Sequence, residues 1–158
     1  MVVDQELNRI ILELIPQKHP FRFIDTILNL DETSITASYR FRENEFFYQG
    51  HFPGHPITPG VILIEAMAQT GVVAFGISRL LSQGRSTEEV SQMTTLFAFA
   101  EEIEFSGIVS PDQNIMIQGE MIYFRRGNLK AKVRIERDNG DKICSGTLTG
   151  SGVKLHGR

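Results

Sequence analysis

The hydrophobic pattern changes period along the chain. Leu7, Ile10, Ile11 and Leu14 recur at helical spacing, with Asp4 placed to cap the first turn and Pro16 to stop the run. This predicts an amphipathic helix within residues 1–15. Residues 21–30 and 34–42 read as two strands, the second alternating at Ile35, Ala37 and Tyr39. An aromatic run, Phe46-Phe47-Tyr48, then enters a loop rich in proline and glycine. Residues 59–81 are apolar nearly all round, which predicts a buried helix. Thr58 is placed to cap it and Pro59 to fill its first position. Residues 82–91 are polar with Gly84 and read as an exposed loop. Four strands are expected beyond them, over residues 94–105, 114–125, 128–137 and 142–151. Turns at Ser110-Pro111-Asp112, Arg126-Gly127 and Asn139-Gly140 separate them. Residues 152–158 read as a frayed tail that carries an inert His156. One long buried helix and about six mostly antiparallel strands predict a single α+β domain over residues 1–158, with the sheet wrapped around the helix.

Composition narrows the function. The 158 residues are 41% hydrophobic and 22% charged, as in a soluble globular domain with a real core. The net charge of −3, with no basic cluster, argues against a nucleic-acid surface. The single Cys144 excludes an intrachain disulfide framework, suits a reducing cytoplasm and reads as a core residue. The N-terminus carries acids where a signal peptide needs bases. Residues 61–77 are apolar enough to raise the question of a membrane span. They contain Glu65 and Gln69, so a helix buried in protein is the expected reading, and no membrane partner is expected.

The candidate chemistry gathers in residues 46–71. Glycine at position 60 lets a ligand approach the first free N–H groups of the helix, with the positive end of its dipole behind them. Glu65 sits two turns in, among Ile62, Leu63, Ile64, Ala66, Met67 and Ala68. A carboxyl there is desolvated and its pKa should rise unless it is paired, which suits a general acid. His51 in the loop upstream suits a general base. The plain alternatives are a loop histidine bonded to backbone and an interface carboxylate satisfied by backbone donors. His51 and His55 are four apart on a Pro-Gly loop with Glu65 as a conceivable third ligand, but nothing puts them on one face, and no metal site or cofactor is expected. No serine or cysteine accompanies the pair to make a nucleophile.

The run Gly50-His51-Phe52-Pro53-Gly54-His55-Pro56, then Pro59-Gly60, then Glu65-Ala66-Met67-Ala68-Gln69, resembles the beta-hydroxyacyl-acyl-carrier-protein dehydratases of the FabZ type. Pro20-Phe21-Arg22-Phe23-Ile24-Asp25 upstream and Arg125-Arg126-Gly127 downstream match further pieces, so the likeness extends over residues 15–150. It implies the hotdog fold and a homodimer, often assembled into hexamers, in which His51 of one subunit meets Glu65 of the other. It implies elimination of water from 3-hydroxyacyl thioesters, with His51 as base, Glu65 as acid and the Gly60 N–H holding the thioester oxygen. Gln69, one turn beyond Glu65, either orients it or a water or pairs across the dimer. Phe52 and Phe99 are expected against the substrate, and His55 shapes the loop. Phe46, Phe47 and Phe97 read as core or as acyl-chain wall.

The chain departs from the family pattern after the helix. Phe97-Ala98-Phe99-Ala100-Glu101-Glu102-Ile103-Glu104-Phe105-Ser106-Gly107 has acidic and neutral residues where bases are expected, and Phe99 in place of glycine. Acyl carrier proteins are acidic. Docking would then fall to Arg125, Arg126, Lys130 and Lys132, or the acyl group would ride on coenzyme A. Glu rather than Asp at position 65 favours the plain dehydratase over the dehydratase/isomerase type. A hotdog thioesterase and a non-catalytic acyl-thioester sensor are the alternative readings.

Overall fold

The computed structural model describes residues 4–155. Helix α1 spans Gln5–Leu14, and Asp4 Oδ1 accepts from Leu7 N–H at 3.0 Å as its cap. Six strands follow in chain order: β1 Thr26–Leu30, β2 Ser34–Arg40, β3 Met93–Phe105, β4 Asn114–Arg125, β5 Asn128–Glu136 and β6 Lys142–Lys154. They form one antiparallel sheet in the order β1-β2-β4-β5-β6-β3. The central helix, α2, covers Gly60–Ser82. Alternation turns every second residue of β5 inward, so that Leu129, Ala131, Val133 and Ile135 are all buried.

Those residues, with Ile35 and Ala37 of β2, Ile115 and Ile117 of β4 and Leu148 of β6, pack around Ala66, Met67, Val73 and Ala74 of α2. Burial of each large side chain contributes roughly 2 kcal/mol. The helix is long and apolar enough to cross a bilayer, but most of its hydrophobic window lies inside the domain. This is the sheet wrapped around a helix that defines the hotdog fold. Cys144 is fully buried, and burial pushes its thiol up to about 11.

At the middle of α2 the helix meets the sheet without intervening side chains. A Cβ on Gly71 would overlap Val133 Cγ2, and one on Gly119 of β4 would lie 3.1 Å from Gly71 Cα. Only glycine fits at both. The helix widens at this contact: Gln69–Ala74 form a π turn, in which Phe75 N–H bonds to Thr70 O, five residues back. The extra residue turns the rest of the helix by about 100° relative to its first half.

Several boundaries differ from the sequence expectation. Thr58 does not cap α2. Its hydroxyl lies 2.6 Å from the Tyr48 hydroxyl, both residues buried, and Pro59 stands outside the helix, its carbonyl accepting from Ile62 and Leu63 N–H. A tertiary partner has taken the group a local cap would use. Residues 21–25 are irregular and β1 begins only at Thr26. The polar segment at 82–91 contains a third helix, α3 (Thr87–Ser91), capped by Ser86 and anchored by a buried Val90. Strand β6 continues to Lys154, which pairs with Met93, so residues 152–154 are sheet and not a frayed tail. His156 lies outside the described residues.

Candidate active site

The loop before α2 is tied into a fixed shape. Phe52 and His55 exchange backbone bonds at 3.1 and 2.8 Å, and Ile57 N–H donates to His51 O at 3.0 Å. His51 Nδ1 lies 2.8 Å from Ile57 O. A carbonyl can only accept, so Nδ1 carries a hydrogen, and Nε2 is the ring nitrogen left for other partners. The His51 ring stacks on Phe52, 4.0 Å between centroids, and Phe52 itself is half exposed. His55 is exposed to solvent.

Glu65 is partly buried on α2. Desolvation raises its pKa above the ordinary 4.5, and the hydrogen bond from Gln69 opposes this without reversing it. Gln69 is fully buried and every polar end of it is used. Its Nε2 donates to Glu65 Oε1 at 2.9 Å and to Phe21 O at 2.9 Å, and its Oε1 accepts from Phe23 N–H at 2.7 Å. The backbone groups of Phe21 and Phe23 are thus spent on a side chain, which is why no strand forms there. Within the subunit Gln69 bonds directly to Glu65.

Glu65 stands on the wall of a small cavity, with Gln17, Ala68, Val72, Thr95 and Phe97 among its neighbours. Val72, Val73, Thr95 and Gly150 also wall a second, narrow apolar chamber. That chamber runs along the far half of α2 past Gly76 and Leu80 to Val90 of α3 and Met93 of β3. Together they form a mostly apolar lining along α2, with one ionisable group, Glu65, at its start. Neither Gln17, Val90 nor the second chamber is singled out by the sequence, because only the fold brings them to α2.

The predicted residues do not all converge within one subunit. His51 is not among the walls of the Glu65 cavity. Gly60 opens α2, and its N–H has no acceptor among the described residues. The Phe105 ring lies over it, 2.9 Å from where a Cβ would stand. Phe99 is well exposed and lines a shallow apolar groove with Val61, Ile64, Phe97 and Ala100, separate from the Glu65 cavity but sharing Phe97 with it. Strand β3 forms the border of the sheet, with Leu96, Phe97 and Phe99 exposed along it. Phe46 is half exposed and Phe47 packs on the core. Of the expected docking cations, Lys130 is 3.5 Å from Glu101, Arg125 stacks on Tyr123, and Arg126 and Lys132 are exposed.

A hotdog domain with a desolvated carboxyl on its central helix, an imidazole bonded to backbone in the preceding loop and apolar cavities along the helix carries groups suited to acid–base chemistry. The chain belongs to the FabA-like family, whose domain matches residues 15–146. It is 35% identical over 141 residues to the 3-hydroxyacyl-[acyl-carrier-protein] dehydratase FabZ of Caldicellulosiruptor saccharolyticus, covering 87% of this chain and 92% of that one. The FabZ of Thermus thermophilus is 37% identical over 141 residues, with 89% and 93% covered. Among solved structures, the dehydratase heterocomplex ApeI:P from Xenorhabdus doucetiae superposes with a TM-score of 0.73 over 92% of this chain and 91% of that one, at 12% identity, a likeness of fold.

Proposed function

We propose that this protein is a 3-hydroxyacyl-[acyl-carrier-protein] dehydratase of fatty-acid or related lipid synthesis, working in the cytoplasm. The observation that carries the reading is the desolvated Glu65 carboxyl on the wall of an apolar chamber, in a chain that shares about a third of its residues with FabZ dehydratases along most of its length. His51 Nε2 takes a proton from C2 of the thioester. Glu65 gives its proton to the oxygen on C3, the C3–O bond breaks, and the C2–H electron pair becomes the C2=C3 double bond. The products are the trans-2-enoyl thioester and water, and proton exchange with solvent resets the pair. The free Gly60 N–H at the start of α2 donates to the thioester oxygen as charge builds there. Phe52 and Phe99 line the approach, and the acyl tail runs into the chamber beyond Val72.

Because His51 is absent from the Glu65 wall, the working site is composite, with the imidazole of one subunit facing the carboxyl of its partner. The exposed apolar border of β3 is the surface on which two such subunits pair. Trimers of these dimers are the larger assembly. The carrier is acyl carrier protein, met by Arg125, Arg126 and Lys132, while Lys130 is engaged by Glu101.

The decisive assay offers purified protein 3-hydroxyacyl thioesters of several lengths on acyl carrier protein and on coenzyme A, read by mass spectrometry. Enoyl thioester with the carrier intact, formed faster on the protein carrier, is the expected result. Free acid and thiol would make it a thioesterase, tight binding without turnover a sensor, and equal rates on both carriers would overturn the choice of carrier.

A further inference from the structure

Gln17 lies just beyond α1, after Pro16, and shares the wall of the small cavity with Glu65. Its Oε1 is fully buried and has no hydrogen-bond partner among the described residues. Native proteins leave few such acceptors, and each removes a group from water for no return within the fold. The contrast with Gln69 is direct: that amide is bonded at both ends, whereas Gln17 carries an unused acceptor and stands on the wall of a cavity whose other walls are mostly apolar. Glu65 is the sole ionisable residue among those walls. A hydroxyl group that enters the cavity is a donor of the kind this oxygen lacks.

We propose that Gln17 is a substrate contact whose Oε1 accepts the hydrogen of the 3-hydroxyl group, so that the hydroxyl oxygen turns a lone pair toward Glu65. The inference rests on the dehydratase reading and deepens it. A hydroxyl has one hydrogen to give and two lone pairs. In the elimination its oxygen takes the Glu65 proton while its own hydrogen stays on oxygen, and in so apolar a cavity that hydrogen needs an acceptor. Gln17 neither gains nor loses a proton. When the C3–O bond breaks, the departing water keeps the same bond.

The test uses Gln17→Leu, which keeps the bulk and removes the acceptor. In the active protein it should lower kcat at least about tenfold, the scale of one lost hydrogen bond. Unfolding stability should be unchanged or higher, because the lost atom satisfied nothing in the fold. Affinity is read in a His51→Ala background, where substrate is not consumed, by calorimetry with a matched pair of 3-hydroxyacyl and saturated acyl pantetheine thioesters. His51→Ala protein should prefer the hydroxylated ligand about tenfold, and the added Gln17→Leu should abolish that preference while leaving saturated-acyl affinity alone. Wild-type kcat in Gln17→Leu, a preference that survives it, or a parallel loss of stability and activity would overturn the assignment. Failure of the parent protein to dehydrate any 3-hydroxyacyl thioester would remove the dehydratase reading instead, and the ligand pair would still report on Gln17.

Discussion

Gln69 Nε2 donates to Glu65 Oε1 across 2.9 Å, one helical turn away, at the point where α2 opens into its π turn. The same amide fastens the backbone of Phe21 and Phe23. One buried side chain thereby holds both the Glu65 carboxyl and the Phe21–Phe23 segment.

Gln69→Leu should cost about 2 kcal/mol, since it strands the buried Phe23 N–H and removes the partner of the Phe21 carbonyl. Urea unfolding measures this. The substitution also removes the one interaction that lowers the Glu65 pKa. The alkaline limb of the activity profile should therefore move to higher pH in whatever fraction stays folded.

The raised pKa of Glu65 makes stability depend on pH in a set direction. The folded state holds this proton more tightly than the unfolded chain, whose value is near 4.5. Its favourable contribution is full below that value and is lost as pH rises through the folded pKa. Glu65→Gln has no such proton. Thermal melts of the two proteins should show wild type losing ground to the variant as pH rises from 4.5 through the folded pKa, with a constant gap beyond it. A gap that is constant across that rise would mean the carboxyl is not desolvated.

His51→Ala and Glu65→Gln should each slow turnover at least about a hundredfold without unfolding the protein. If the site is shared between subunits, the two inactive chains co-expressed should regain up to about a quarter of wild-type activity, because half of randomly paired dimers carry one intact site. No recovery from verified mixed dimers would place both groups in one subunit.

Val90→Ala deepens the chamber at its closed end. It should shift kcat/KM toward longer 3-hydroxyacyl chains by about tenfold per added methylene that the wild type excludes. The cost in stability should be roughly 2 kcal/mol, read by denaturant titration. An unchanged length profile would show that the acyl tail does not reach α3.

Period and punctuation in the sequence carried much of this architecture. The alternation of β4 and the hairpin at Arg126-Gly127 were readable, as was the burial of α2, whose residues are apolar on every face. The short α3 was readable in principle: Ser86 and Glu89 form a capping box, hidden by the polar composition around it. Thr58 carries the local signal of a cap, while its actual partner, Tyr48, is chosen by packing. The motif residues single out His51 and Glu65 as the proposed base and acid. The bonding of Gln69 to Phe21 and Phe23, 48 and 46 residues away, could not be read there, nor could the orphan oxygen of Gln17. Both depend on which loop the sheet folds over the helix.

The glycine contact between α2 and β4 has a bearing on how such an enzyme can diversify. Two elements that touch at Gly71 and Gly119 leave no side chain to trim at that point, so the helix cannot be drawn closer to the sheet to make room. New substrate preferences come instead from the replaceable side chains that wall the cavities, from Leu96 and Phe97 on β3 to Val90 and Met93 at their far end.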